Sequence, residues 1–249
     1  MRHNGAMLIT GFPAGMFQTN CYILAPAPGG EAVVIDPGQD AAPMAKKVLA
    51  EHDLTPVAVL LTHGHLDHTW TAADLCDEFS IPAYIHPEDR PMLADPGIGL
   101  GHALSSVIGS LEFREPDKVL DFVDGETVEI AGLRLAVDHA PGHTQGSVLL
   151  TLDVPVDESG AGDTVPVCFS GDVLFSGSIG RTDLPGGNHQ QLLDSIAARL
   201  LTRTDDTQVL PGHGPQTSIG AERASNPFLA GLAGGAEGTS TAKKGRMGL

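Results

Sequence analysis

The chain has 249 residues, 41% of them hydrophobic, and a formal net charge of −17. That length holds one large domain or two small ones around a sizeable core, and the composition argues against wholesale disorder. So acidic a surface disfavours a nucleic-acid partner, and no apolar run approaches the length of a membrane span.

In chain order, residues 1–16 lack the long apolar core of a signal peptide, and Met7 offers a second possible start. Residues 7–10, 21–25 and 32–35 read as strands, with a turn at 26–30, which suggests an antiparallel edge. Met44, Val48 and Leu49 space as one helix face. Residues 57–61 are apolar and partly β-branched, the pattern of a buried strand; after them Leu66, Trp70, Ala73 and Cys76 recur at helical spacing. Residues 81–86 give the next strand, and this alternation implies a parallel α/β unit. Residues 87–118 are read as helices and loop near a site mouth. Gly97, Gly99 and Gly101 are followed by His102, so they form no dinucleotide-binding fingerprint. Residues 127–130 and 133–137 alternate about Ala131-Gly132 as a hairpin. Strands at 148–150 and 167–169 flank a polar loop at 153–166, and Asn188 caps a helix with the stripe Leu192, Leu193, Ile196 and Leu200. A short strand spans 208–210. A globular domain is expected over 1–230 and a disordered tail, rich in Gly, Ala, Ser, Thr and Lys, over 231–249.

The three cysteines, Cys21, Cys76 and Cys168, are far apart and form no CxxC pair, so neither a disulfide framework nor a thiolate zinc site is expected. Each sits in an apolar run or helix face and reads as a small core residue. A cytoplasmic location fits this usage. Nothing in the sequence fixes an oligomeric state.

The densest chemistry lies in Thr62-His63-Gly64-His65-Leu66-Asp67-His68, on the loop between the strand at 57–61 and the helix after it. Open α/β sheets place ligand sites at such strand ends. Imidazole and carboxylate suit Zn, Fe and Mn. Alternate residues of an extended loop point the same way, so His63 and His65 can share one metal while Asp67 and His68 diverge toward a second.

This segment resembles the metal motif of the metallo-β-lactamase fold, which implies an αββα sandwich, two mixed sheets flanked by helices. The resemblance predicts three further ligands at strand ends. His143 in Pro-Gly-His-Thr, Asp172 in Ser-Gly-Asp and His213 in Pro-Gly-His-Gly fill those places, each directly after a glycine. Carried over, one metal takes His63, His65 and His143, the second takes Asp67, His68 and His213, and Asp172 bridges them. Two divalent ions are therefore expected, Zn first, with Fe and Mn open. Asp67 and Asp172 are the catalytic carboxylates of the set.

Where one large group of lactamases has Cys and Arg, this chain has Asp172 and His68. Together with Gly180-Arg181-Thr182-Asp183, Pro185-Gly186-Gly187, Ile219-Gly220-Ala221-Glu222-Arg223 and Asn226-Pro227-Phe228-Leu229, that looks like the short bacterial type II glyoxalases. Those resemble hydroxyacylglutathione hydrolase without its C-terminal helical domain, so the glutathione-contacting residues of that domain do not transfer. The resemblance implies hydrolysis of a small hydroxy acid's thioester with a low-molecular-weight thiol, by water activated between the metals. The partner is thus a small molecule, not nucleic acid and not a membrane. Arg181 either binds substrate or closes a salt bridge with Asp183. His139 is a candidate supporting residue near the site, while His3, His52, His86, His102 and His189 read as surface or loop. The rival reading is a persulfide dioxygenase, with one iron on His63, His143 and Asp172.

Overall fold

The computed structural model describes residues 7–100, 112–156 and 162–232. Of the tail expected at 231–249, residues 233–249 lie outside them, as do Met1, His3 and His102; Met7, the alternative start, is the first described residue.

Two six-stranded mixed sheets lie face to face. The first runs β1 (Leu8–Ala14), β2 (Thr19–Ala25), β3 (Glu31–Ile35), β4 (Thr55–Leu60), β5 (Ala83–Ile85) and β6 (Val119–Asp121) in that order. Its first three strands pair antiparallel and the rest parallel, as the short turns and the helical crossovers dictate. The crossovers are α1 (Ala41–Glu51), then α2 (Leu66–Thr69) with α3 (Ala72–Phe79), and then a region that includes α4 (Pro91–Ala94). The second sheet comprises β7 (Thr127–Ile130), β8 (Leu133–His139), β9 (Val148–Pro155), β10 (Thr164–Gly171), β13 (Gln208–Pro211) and β14 (Thr217–Ser218). Between β10 and β13 come the small hairpin β11 (Leu174–Phe175) and β12 (Ser178–Ile179), then α5 (His189–Ser195). After β14 comes α6 (Ile219–Ser225).

The two-residue period of the strands builds three core layers from one set of sequences. Along β2, Cys21 and Ile23 pack outward against α1 and α3, while Tyr22 and Leu24 point between the sheets. Along β10, Phe169 enters the inter-sheet core beside Leu150, and Cys168 faces Leu192 and Ile196 on the outer layer. Both faces of these strands are buried, which is why they read as continuous apolar runs rather than as alternation. Each such side chain contributes about 1.5–3 kcal/mol when fully buried. The three free cysteines are all buried, as expected, and burial pushes the Cys76 thiol up to about 12.

Several local expectations are corrected. Met44 is not on the buried face of α1; Ala41, Ala45, Val48 and Leu49 are, and Met44 is 43% exposed. The helix after the metal-type motif is two helices. Thr71 breaks it, because its N–H donates to the Pro37 carbonyl and its hydroxyl lies 3.0 Å from the carbonyls of Pro37 and Gly38. Much of the loop expected at 153–166 is strand, with Pro155 paired to Thr164. Asn188 does cap its helix, accepting from the Gln191 N–H, but the last turn, Ile196–Leu200, is π-wound.

The signature at 219–229 is a clasp. Ser218 caps α6 by accepting from the Ala221 N–H. Buried Glu222 accepts from the Gly177 N–H, the Thr217 hydroxyl and the Asn226 amide. It thereby stitches the β11–β12 turn to the end of the described chain. Asn226 adds a bond to the Ser178 carbonyl.

Candidate metal centre

All seven predicted ligands meet at one end of the sandwich. His63 and His65 follow β4, Asp67 and His68 lie in α2, His143 follows β8, Asp172 follows β10, and His213 follows β13. Glycine makes two of these approaches possible. Gly142 sits at φ 137° against the Leu192 backbone, and a Cβ on Gly212 would collide with Asp172 Oδ1 and His68 Cε1.

Three sets of donor atoms come together, each within 4.8 Å: His63, His65 and His143; Asp67, His68 and His213; and His63, His68 and Asp172. Asp172 stands between the first two. Its Oδ2 is 3.6 Å from His143 Nε2 and 3.5 Å from His213 Nε2, and its Oδ1 is 3.3 Å from His68 Nε2. Asp67 Oδ2 lies 3.1 Å from His213 Nε2 and accepts from the Thr19 hydroxyl.

Four rings are aimed from behind. His143 Nδ1 donates to the Arg181 carbonyl at 2.8 Å, His213 Nδ1 to the Phe17 carbonyl at 3.1 Å, and His68 Nδ1 to Asp36 at 2.9 Å. His63 Nδ1 sits 3.2 Å from the Thr62 hydroxyl, which itself donates to Asp36. Fixing Nδ1–H turns each Nε2 into a lone-pair donor facing the centre.

Does this arrangement fit metal? Nε2 of His63, His65 and His143 is buried and has no hydrogen-bond partner. An unmet buried polar atom costs about 1–3 kcal/mol, so three converging on one point mark a ligand's place. Burial, then the neighbouring histidines, holds His63 well below its usual range, and burial with His143 lowers His65 to about 3. These are neutral imidazoles, as metal ligation requires. Burial alone would raise Asp67 and Asp172, but protonated His68, then His213, holds both carboxyls low. The carboxylates in turn raise these two histidines, so a metal ion would displace a proton from each imidazole. The donors are nitrogen and oxygen only, so they fit divalent Zn, Fe or Mn and do not select among them.

Two supporting residues were missed by sequence reasoning. Asp36, just past β3, accepts from the Thr62 N–H, the Thr62 hydroxyl and His68. Asp89 accepts from the N–H groups of Gly64 and Gly146 and the Thr144 hydroxyl. Asp36→Ala is expected to weaken metal affinity about 10–100-fold, the usual cost of losing a group behind a ligand; a metal titration of the variant reads this directly.

His139 does not reach the donor set. Its ring stacks on His86 with centroids 4.1 Å apart, and its Nε2 lies 2.7 Å from the Gln145 carbonyl, so it steadies the loop carrying His143. Arg181 lines the pocket, yet its Nε and Nη2 are each 2.7 Å from an oxygen of Asp183. The two side chains are 59% and 68% exposed, so the pair is worth at most about 1 kcal/mol. Arg181→Ala should therefore lower stability by less than that, and its backbone carbonyl would still hold His143; thermal unfolding of the variant checks it.

The centre floors a pocket of about 570 Å³. Among the described residues, its lining apart from the candidate ligands is apolar save for Gln39 and Arg181.

Residues 14–213 match the family model described as the metallo-beta-lactamase superfamily, and the chain belongs to that superfamily. The two mixed sheets flanked by helices are its fold. The chain is 48% identical to an uncharacterized protein of Mycobacterium tuberculosis over 91% of this chain and 99% of that one. It is 36% identical to the probable metallo-hydrolase YqgX of Bacillus subtilis (88% and 96% covered) and 35% identical to the hydroxyacylglutathione hydrolase GloC of Haemophilus influenzae (87% and 95%). Among solved structures it is similar to the BLEG-1 B3 metallo-beta-lactamase, with TM-score 0.76, 40% identity, and 90% and 100% covered. The di-iron-bound form of TTHA1623 gives 0.70 and 35% (88% and 100%), and ETHE1 from Myxococcus xanthus gives 0.68 and 28% (90% and 85%). Among the described residues no helix is long and apolar enough to cross a membrane.

Proposed function

We propose that the chain is a dinuclear metallohydrolase that cleaves the thioester of a small hydroxy acid with a low-molecular-weight thiol. The observation that carries this reading is the position of Asp172, in reach of both His143 and His213, at the floor of an open pocket. The likeness to GloC supports the thioester. His63, His65 and His143 would hold one ion, Asp67, His68 and His213 the other, and Asp172 both. Bound there, two divalent ions supply activated water at neutral pH and stabilise negative charge on a carbonyl oxygen.

The chain's own residues do the rest. Asp36 and the Arg181 and Phe17 carbonyls hold the imidazoles in one tautomer, so the donor set is organised before substrate arrives. The apolar wall shields the reacting carbonyl from bulk water and orients the substrate. A thiolate of free pKa about 8.5 leaves readily, so no strong general acid is needed. Among the described residues the pocket lining contains no serine or cysteine. A reducing, cytoplasmic setting suits the three buried free thiols.

The test is hydrolysis of lactoyl thioesters by protein purified with its metals. Turnover that disappears on chelation and returns with added metal is expected. Oxygen consumption with a persulfide, at one iron per chain, would mark the dioxygenase instead. Preferential opening of a β-lactam ring would align the chain with BLEG-1.

A further inference from the structure

Resting on the hydrolase reading, we propose that the thiol half of the substrate is uncharged and apolar, not a carboxylate-bearing peptide thiol such as glutathione. The pocket wall is Phe17, Trp70, Leu100, Phe175, Ile179 and Leu184 at its apolar positions. At the rim Met16 is 74% exposed and Phe17 40%, apolar surface that a bound ligand of matching character would cover.

Charge points the same way. Glutathione carries two carboxylates, and a carboxylate leaving water needs a cationic or hydrogen-bonding partner. The chain has 14 Lys and Arg in all; among the described residues, Arg181 alone lines this pocket. Both oxygens of Asp183 already take its guanidinium, so the pair presents no net charge. Gln39, the other polar wall residue, is uncharged; its Oε1 accepts from the Met16 N–H, and its Nε2 offers a neutral donor but no cation. The segment 101–111, which follows Leu100 and lies outside the described residues, contains neither Lys nor Arg. The net charge of −17 adds a field that repels an anionic carrier on approach.

The experiment compares kcat/KM of the metal-loaded enzyme on four lactoyl thioesters, those of glutathione, glutathione diethyl ester, N-acetylcysteamine and benzyl mercaptan. Masking the two carboxylates as ethyl esters should raise kcat/KM at least about tenfold, and benzyl mercaptan should exceed N-acetylcysteamine. Met16→Arg, which places a cation at the rim, should raise the ratio of glutathione thioester to its diethyl ester several-fold, to a degree that falls with added salt. Equal or faster turnover of the unmasked glutathione thioester by the unaltered enzyme overturns the proposal. No turnover of any of the four takes down the hydrolase reading itself, and this proposal with it.

Discussion

Asp172→Ala should lose more than about 100-fold in turnover while keeping its fold, beyond the 10–100-fold typical when a group behind a ligand is removed. Among the described residues, Asp172 is the one side chain whose oxygens approach His68, His143 and His213 together. Without it the two donor sets share no residue, and His68 and His213 face each other at 3.3 Å with one carboxylate fewer between them. Asp172→Asn keeps the shape and drops the charge, so it should fail almost as completely. Bound metal per chain should fall in both variants, and circular dichroism should stay unchanged. Near-normal turnover in either variant would remove Asp172 from the chemistry.

Asp89→Ala should cost about 2–5 kcal/mol of stability, because it leaves buried backbone donors unmet at about 1–3 kcal/mol each. Asp89 is fully buried, and burial raises its carboxyl while the bonds from Thr144, Gly64 and Gly146 pull it back. Gly64 lies between His63 and His65, and Thr144 and Gly146 lie just past His143. One carboxylate therefore locks the loop after β4 to the loop after β8. Its loss leaves two backbone N–H groups unmet, each a separate penalty, while the Thr144 hydroxyl keeps only Ser147 Oγ, 2.7 Å away. Urea unfolding should show a lower midpoint at unchanged slope, and metal affinity should drop with it. An unchanged midpoint would mean that those donors find water or other partners.

The sheets were legible because the residues that build them carry their own signal. Buried runs such as 57–61 and 167–169 are apolar on both faces, and the strand ends announce themselves as glycine followed by His or Asp. The donors were legible from the dense His63–His68 motif and from the resemblance it carries, which pointed to His143, Asp172 and His213 after later strands. Asp36 and Asp89 were not. A single aspartate in a loop looks like solvated polarity, and their roles are set by partners 25 to 57 residues away. The break at Thr71 was hidden likewise, since its cause is the loop after β3. Met44 misled because size suggested burial, whereas close packing of α1 on the sheet takes the small residues Ala41 and Ala45. The Arg181–Asp183 contact was posed by the sequence, and side-chain geometry shows the pair formed, at a residue that also lines the pocket.

We propose that one chain holds two ions and needs both for turnover. The most direct test is titration of divalent metal into chelator-treated protein, following bound metal and lactoyl-thioester turnover in the same samples. Two equivalents per chain, with activity rising until the second is bound, is the predicted result. Saturation of both binding and activity at a single equivalent would contradict it.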